Sequence, residues 1–215
     1  IDQSGEMLRL AGDAWLQARD FPKALTNFRR AAYESPGYSE AADAAWAAIA
    51  LLRNSLDRPT TVSAFQPELK DVSNEANRFS GRFEGDSRIP GLMADLAARW
   101  LAAGDHQLAL DYGSRVLTAP TASPAERYAA WQVMARIRQE EGDYGLAERA
   151  WGQALNLAES ERLANVTEEQ VSAIRKQLAT SVYRQAELAV SSGRLGEAVG
   201  HFRRVDSVLP GSDVA

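Results

Sequence analysis

The stretch 8-LRLAGDAWLQARDFPKALTNFRRAAYESP-36 decides the fold of this 215-residue chain. Small and apolar residues recur in it at helical spacing, at Leu8, Ala11, Gly12, Trp15, Phe21, Ala24, Phe28, Ala31 and Pro36. Small residues let two helices approach closely, and Pro22 is tolerated early in a helix because no N–H is needed there. The pattern predicts antiparallel helices over about 5–18 and 21–34, with Gly12 and Ala24 in contact where the helices cross.

The same pattern returns five times along the chain. The predicted units cover approximately residues 5–38, 39–89, 90–127, 128–178 and 179–215, so that successive units start 34, 51, 38 and 51 residues apart. The two long intervals contain neither strand-like alternation nor a Gly/Pro-rich linker. We therefore expect extended helices and a longer loop within them.

Two of the units have helix boundaries that follow from local signals. The second unit is expected to contain helices over 38–54 and 63–83, with Pro67 in the first turn of the latter and a polar loop at 57–61 between them. In the fourth unit, Ser123-Pro124 is expected to start the first helix.

A further local signal is the capping box Thr167-Glu168-Glu169-Gln170, in which side chains satisfy the free N–H groups of a helix start. It predicts a long helix over about 168–192. The second half of this helix is interpreted as the first helix of the fifth unit.

With small residues at the helix crossing, aromatic residues on both helices and a closing proline, the pattern is similar to the tetratricopeptide repeat (TPR), whose period is about 34 residues. The resemblance implies an all-α, right-handed superhelical solenoid of antiparallel helix pairs, in a single domain over 1–215. Pro210-Gly211-Ser212-Asp213 is interpreted as a helix stop followed by an N-cap. We therefore expect a fragment of a longer repeat protein.

Within this family, one segment resembles bacterial envelope proteins. It extends from Ala76-Asn77-Arg78-Phe79 through Pro90 to Trp100, Gly104-Asp105 and Ala109. The proteins that it resembles include outer-membrane assembly lipoproteins and periplasmic Tol-associated coordinators. The resemblance implies a periplasmic rather than a cytoplasmic location, and a role in envelope assembly or secretion.

Composition excludes several kinds of partner. The 24 basic and 29 acidic residues are well mixed and give a net charge of −5, which argues against nucleic-acid and anionic-membrane partners. No apolar stretch approaches the ~20 residues that span a bilayer, so we expect no membrane insertion of this segment. The absence of cysteine excludes disulfide and thiol chemistry.

The sequence contains no pattern typical of catalysis or of a cofactor. The two histidines, His106 and His201, are far apart in sequence, and a metal site needs three or four converging ligands. Gly142-Asp143-Tyr144-Gly145 lacks the lysine of a phosphate-binding loop and is interpreted as a turn between helices. The acidic cluster at Glu140-Glu141-Asp143 is expected at an exposed hairpin tip. We therefore expect no enzyme activity, metal or cofactor.

The tryptophans are expected mainly in the core. Trp15, Trp100, Trp131 and Trp151 fall on the positions that pack between paired helices in the family. Trp46 occupies a position where the family has a small residue. Both a core and a groove location remain open for it.

The resemblance implies a concave groove formed by positions 2, 5, 9 and 12 of each first helix. The candidate partner-binding residues are Arg9, Asp13, Leu16, Asp43, Trp46, Ala47, Ala94, Ala98, Leu101, Gln132, Arg136, Tyr183 and Glu187. The same four positions in the five first helices also include Glu6, Glu40, Ala50, Gly91, Ala129, Gln139, Thr180 and Val190. Arg9 and Asp13 are expected to pair, which argues against the lysine/asparagine clamp of chaperone-binding relatives. The small apolar middle of the groove suits a helix or an extended apolar segment, or else serves only helix packing.

These features predict a non-enzymatic protein–protein interaction scaffold with a protein or peptide partner. Two alternatives remain open: a helical accessory region of an envelope enzyme or polysaccharide exporter, and a self-association module. A polysaccharide ligand also remains open. The C-terminal helix presents Val199, Phe202, Val205 and Val208, so we expect an apolar edge there that associates weakly.

Overall fold

The computed structural model describes residues 3–58, 65–160, 163 and 166–209, and within these residues every regular element is an α-helix. The helices are α1 (Gln3–Gln17), α2 (Phe21–Tyr33), α3 (Ala41–Asp57), α4 (Leu69–Arg82), α5 (Ile89–Ala102), α6 (His106–Thr118), α7 (Pro124–Glu140), α8 (Tyr144–Ser160), α9 (Glu168–Ser191) and α10 (Leu195–Val208). The chain forms two compact units, one up to Ile89 with α1–α4 and one from Pro90 with α5–α10. The predicted all-α fold of paired helices is confirmed.

Four of the turns between paired helices share one hydrogen-bonding pattern. The N–H group that follows the turn donates to the carbonyl oxygen five residues earlier, as from Asp20 to Trp15 (2.9 Å) and from Asp105 to Trp100 (3.0 Å). The residue before the donor has a positive φ, which favours glycine and is met by Gly104 at φ 80°. Asp20 and Asp105 then accept a hydrogen bond from the first turn of the next helix. The predicted turn at Gly142-Asp143 and the predicted break between α1 and α2 are confirmed.

The second helix pair differs from its predicted boundaries. Helix α3 continues three residues beyond the predicted end, to Asp57. Helix α4 begins only at Leu69, because a capping box between Glu68 and Asp71 starts it there. Phe65 and Pro67 therefore precede the helix. The remaining expectations for residues 59–61, 63 and 64, and for 210–213, lie outside the described residues.

The two helix starts that the sequence predicted within the second compact unit, which begins at Pro90, are both confirmed. Ser123 caps α7 in a capping box with Glu126, and Thr167 caps α9 with Gln170. The first half of α9 packs on α8, where Ile174 lies in a buried cluster with Trp151. The second half packs on α10 and also contacts α8 through Gln185. A single helix therefore contributes to two neighbouring packing layers.

The core of the first unit is made chiefly of alanines and a few large side chains. Its fully buried members include Ala24, Phe28, Ala31, Ala44, Ala45, Ala48, Ile49, Leu52, Val72, Ala76 and Phe79. Gly12 faces the ring of Phe28, since a Cβ on Gly12 would lie 2.5 Å from two ring carbons. The helix crossing therefore includes a glycine–phenylalanine contact, and the contact between Gly12 and Ala24 stays a prediction.

A buried carboxylate also joins α2 to α4. Glu75 is 2 % exposed and accepts hydrogen bonds from Arg29 Nε (2.6 Å) and from the Tyr33 hydroxyl (2.9 Å). The guanidinium of Arg78 lies 3.7 Å from the centre of the Tyr33 ring. Burial, together with the Glu75 charge, raises the pKa of Tyr33. The carboxylate is therefore both paired and hydrogen-bonded, as a buried charge must be.

The tryptophans divide between core and surface. Trp151 is 3 % exposed, as expected for a core residue. Trp15 is 37 % exposed, and Lys23 lies 4.2 Å from its ring centre, so the core prediction is wrong for this residue. Trp15 lies two residues before the end of α1, close to the turn that joins α1 to α2.

Candidate functional site: two grooves between first helices

In the first unit, a cavity of about 360 Å³ opens between α1 and α3. It is lined by four of the predicted groove residues together with others, namely Arg9, Asp13, Leu16 and Ala47, and Phe21, Phe28, Ala50, Leu51, Asn54, Ser55 and Arg58. We refer to it as the α1–α3 groove. Ala50 also belongs to the sequence-based count of inner positions.

The polar residues at one end of the α1–α3 groove neutralise each other. Arg9 and Asp13 form an ion pair one helical turn apart, as expected. The Arg9 guanidinium also lies 5.3 Å from the centre of the Phe28 ring. The wall therefore offers a partner mainly carbon atoms, from Phe28 and the alanines of α3. Such a wall suits an apolar side chain more than a charged one.

Asp43 and Trp46 are not among the residues lining this groove, although both were candidates. Arg88, just before α5, donates to Asp43 (2.7 Å) and to Asp86 (2.7 Å). Its guanidinium carbon lies 5.2 Å from the Trp46 ring and 5.5 Å from the Phe79 ring. The hydrogen bonds from Arg88 hold the pKa of Asp86 below its usual value and raise that of Arg88. Asp43 and Trp46 thus help to fix the segment that follows α4.

In the second unit, a cavity of about 450 Å³ opens between α7 and the first half of α9. We refer to it as the α7–α9 cavity. Its lining residues are Gln132, Arg136, Gln139, Glu140, Trp151, Gln170, Ala173, Ile174 and Gln177. Gln132 and Arg136 were predicted as candidates, and Gln139 belongs to the wider count.

Sequence reasoning missed the α9 side of this cavity. It placed the inner positions of α9 by counting from the predicted start of the fifth unit at residue 179, which selected Thr180, Tyr183, Glu187 and Val190. The structure places Gln170, Ala173 and Gln177 opposite α7 instead. The same count started at the capping box, from Thr167 or from Glu168, does not select these residues either, because the face of α9 that lies opposite α7 depends on packing between helices distant in sequence.

A chain of hydrogen bonds crosses the floor of the α7–α9 cavity. The indole Nε1 of Trp151 donates to Gln139 Oε1 (2.9 Å), and Gln139 Nε2 donates to Gln177 Oε1 (2.9 Å). At the rim, Glu140 Oε2 lies 3.0 Å from His106 Nε2. The cavity is therefore rich in side-chain amide groups. Those of Gln139 and Gln177 are held in place by the hydrogen bonds that start at the buried Trp151.

The remaining candidates are not among the residues lining either cavity. Ala94, Ala98 and Leu101 lie on α5, with Ala98 exposed and the other two half-buried. Tyr183 packs against the Phe202 ring, with 5.6 Å between ring centres, and Glu187 accepts from Arg184 (2.7 Å). Tyr183 and Glu187 are on the second half of α9.

The α1–α3 groove and the α7–α9 cavity are both suited to non-covalent binding. Among the described residues, no three acidic or histidine side chains converge as metal ligands would. Within the same residues, no helix is both long enough and apolar enough to cross a bilayer.

Comparisons with known proteins find similarity only to solved structures, at low sequence identity. No protein-family model matches the chain, and no curated protein matches it. The solved structure of MamA protein is similar, with 14 % identity, 97 % of this chain and 93 % of that chain covered, and a TM-score of 0.44. A tetratricopeptide repeat protein from Parabacteroides merdae ATCC 43184 has 11 % identity, 99 % and 96 % coverage, and a TM-score of 0.40. The paired helices of this chain, with their shared turn geometry, are TPR-like.

Proposed function

We propose that this protein is a non-enzymatic scaffold that binds segments of partner proteins between its first helices. The main support for this proposal is the lining of the α1–α3 groove. Its wall combines the half-buried Ala47 and Ala50 with the Phe28 ring, and two of its three charged residues, Arg9 and Asp13, pair with each other. A wall of this kind favours a partner segment with an apolar side chain, presented by a helix or an extended chain.

A groove-filling variant tests this proposal. A peptide is first selected from a displayed random library on the wild-type protein, and its Kd is then measured by fluorescence anisotropy. Ala50→Trp should weaken binding at least about tenfold, because the indole occupies the space that the peptide needs. Ala14→Trp, on an exposed position of α1 that does not line the groove, is the matched control. Equal affinity of Ala50→Trp and the wild type would contradict the proposal.

The proposed setting is the bacterial periplasm, within an envelope assembly or secretion system. The support is the resemblance of the segment from Ala76 to Ala109 to envelope proteins of the TPR family. The test is osmotic-shock fractionation of the natural host that expresses the tagged natural protein. Recovery with cytoplasmic markers would contradict this setting.

Self-association is a second candidate function, which a specific patch favours. Leu195 and Val199 lie one turn apart on α10 and are 63 % and 50 % exposed. The patch differs from the predicted apolar edge, because Val205 is 1 % exposed, Phe202 packs on Tyr183, and Val208 packs against the core clusters. Only Val199 of the predicted set is exposed.

Light scattering across a concentration series tests this candidate. If the patch mediates association, the wild-type mass should rise with concentration, and Val199→Glu should abolish the rise. Leu146→Glu, at a position 39 % exposed on α8, is the control. A wild-type mass that stays monomeric throughout would exclude self-association.

A further inference from the structure

The large apolar side chains that are most exposed to solvent lie on the first and the last helix. Among the described residues, the four highest exposed fractions belong to Met7 (66 %), Leu195 (63 %), Leu10 (55 %) and Val199 (50 %). Met7 and Leu10 are on α1, and Leu195 and Val199 are on α10. Single exposed apolar residues are common on protein surfaces, so the meaning of these four depends on the helix faces that carry them.

On α1, the exposed apolar residues lie opposite the buried side of the helix. Gly5 and Gly12 mark the buried side, because a Cβ on either glycine would lie 2.5 Å from a carbon of an aromatic ring. At 3.6 residues per turn, Met7, Leu10 and Ala14 lie on the other side, and all three are exposed. We refer to these three residues as the α1 outer face.

The equivalent face of α7 is buried by a neighbouring helix. The turns after α1 and α7 can be aligned by their residues of positive φ, Arg19 and Gly142. In this alignment, the equivalents of the α1 outer face are Ala130, Val133 and Ile137. They are 0 %, 6 % and 0 % exposed. The preceding helix α6 packs on α7, and a Cβ on Gly113 of α6 would lie 3.9 Å from the Ala130 carbonyl oxygen. The α1 outer face thus corresponds to a surface that receives the second helix of a preceding pair.

Helix α10 also leaves one side uncovered. Its buried side contains Ala198 and Val205, which are 2 % and 1 % exposed. Its other side has an apolar surface, the α10 outer face, which consists of the exposed residues Leu195, Gly196, Val199 and Gly200. A Cβ on either glycine would meet no neighbouring side chain or helix within 4 Å. No packing within the described part of this chain therefore requires these two glycines, although each weakens the helix relative to alanine.

The position of Val199 is buried in the first helix pair. Aligning Gly193 with Arg19, the residues of positive φ in the two turns, places Val199 on Leu25 of α2. Leu25 is 8 % exposed and lines a cavity together with Leu52 of α3, the first helix of the next pair. Helix α2 packs on α3 as α6 packs on α7 and α8 packs on α9. In each of these cases a second helix packs against the first helix of the next pair.

We propose that the α10 outer face of one copy docks against the α1 outer face of a second copy. The contact between copies then repeats the packing of α6 on α7, with α10 as the second helix and α1 as the first. The long side chains of Met7 and Leu10 fit into the space above the two glycines of α10, as ridges fit into grooves. This inference rests on the candidate function of self-association and names the two surfaces that meet.

Charged residues border both faces. Glu6 lies one turn before Leu10 on α1, and Arg203 and Asp206 follow Val199 on the exposed side of α10. Among the described residues, none of these three charged side chains takes part in an ion pair. Glu6 of one copy is therefore available to pair with Arg203 of the next. Because α10 carries both signs of charge, burial of apolar surface drives the contact rather than net attraction.

Light scattering of two variants and of their mixture tests the proposal. Leu10→Glu disrupts the α1 outer face and Val199→Glu the α10 outer face, so each variant alone should stay monomeric where the wild-type mass rises with concentration. Each variant keeps the face that the other has lost. An equimolar mixture should therefore form complexes of twice the mass of one chain and no larger ones. Leu146→Glu on α8 is the control and should associate like the wild type. Circular dichroism checks that each variant is folded.

Single-cysteine variants locate the contact without adding charge. The chain has no cysteine, so Leu10→Cys and Val199→Cys each carry one thiol. A short bis-maleimide should link these two variants when they are mixed, and it should give no covalent dimer with either variant alone. Leu146→Cys mixed with Val199→Cys is the matched control and should not be linked.

Four outcomes would overturn the proposal. If Leu10→Glu associates like the wild type while Val199→Glu does not, self-association stands but belongs to α10 alone. Linking of Val199→Cys to itself has the same meaning. A wild-type chain that stays monomeric at every concentration would remove self-association as well. Association of this chain that the full natural gene product lacks would assign the two faces to contacts within that product. The peptide assay of the α1–α3 groove tests the scaffold function separately.

Discussion

Gly12 shows how a single missing side chain sets the spacing of two helices. A Cβ at this position would lie 2.5 Å from the Phe28 ring, which is itself 1 % exposed. The ring cannot move aside without opening the core, because protein interiors are close-packed. The small residue is therefore required by Phe28 of α2, which also forms part of the α1–α3 groove.

Gly12→Ala should destabilise the protein by about 1–3 kcal/mol, since overpacking exceeds the gain in helix propensity. Gly152→Ala in α8 is the matched control, because a Cβ added there would meet no neighbouring side chain or helix within 4 Å. That variant should be stabilised by about 0.5–1 kcal/mol. Urea unfolding measures both changes, and destabilisation of the two variants by equal amounts would contradict the proposed contact.

Glu75→Gln should destabilise the protein by about 1–3 kcal/mol. The change removes the charge that balances Arg29, whose side chain is 37 % exposed, and it also alters the partner of the Tyr33 hydroxyl. Glu34→Gln provides the control, because Glu34 pairs with Arg30 at 3.6 Å with both side chains more than half exposed. An exposed pair contributes about 0–1 kcal/mol. Equal changes in unfolding free energy would show that the buried network adds nothing.

At the scale of the helices, the sequence predicted most elements but not all of their faces. Local signals were sufficient for the capping boxes at Ser123 and Thr167 and for the turns at Gly104 and Gly142. They could not predict which half of α9 faces α7, because that depends on packing between helices distant in sequence. The exposure of Trp15 and the buried role of Glu75 were also missed, since each depends on a neighbouring helix. Of the site, Arg9, Asp13, Leu16, Ala47, Gln132 and Arg136 line the two cavities as expected groove residues.

Thr167→Ala should destabilise the second unit by about 0.5–2 kcal/mol, because the first turn of α9 loses its N-cap. The first half of α9 also forms one wall of the α7–α9 cavity. Thr180→Ala is the control. Thr180 lies in the middle of the same helix, and its hydroxyl donates only to the Lys176 carbonyl oxygen (2.8 Å). This control should be nearly neutral in thermal unfolding. Equal effects of the two variants would argue against the capping role.

The Asp86–Arg88 connection should make stability depend on pH. The pKa of Asp86 is lower in the folded protein than in the unfolded chain because Arg88 donates to it, so its contribution is present above the unfolded value of about 3.9. That contribution is lost as pH falls through the lower folded pKa. Asp86→Asn should thus be less stable than the wild type near neutral pH, and the difference should shrink below about pH 4. A difference that is constant with pH in urea unfolding would contradict this.

At the scale of the whole molecule, the all-α fold predicts the shape of the circular dichroism spectrum. The described residues form ten helices, and no described residue lies in a strand. Far-ultraviolet circular dichroism should therefore show deep helical minima that vanish on thermal unfolding. A spectrum dominated by a sheet signal would contradict the fold.

Helix α9 limits how this chain can be shortened or recombined. Repeat proteins commonly gain and lose whole units, because each unit contacts only its neighbours. Here the 24 residues of α9 complete the cluster around Trp151 with one half and support α10 with the other. A deletion that began at Thr167 would remove a wall of the α7–α9 cavity, and one that began after Leu178 would leave half a helix without its continuation. Helices α8, α9 and α10 should therefore be removed or transferred only together, as one structural block.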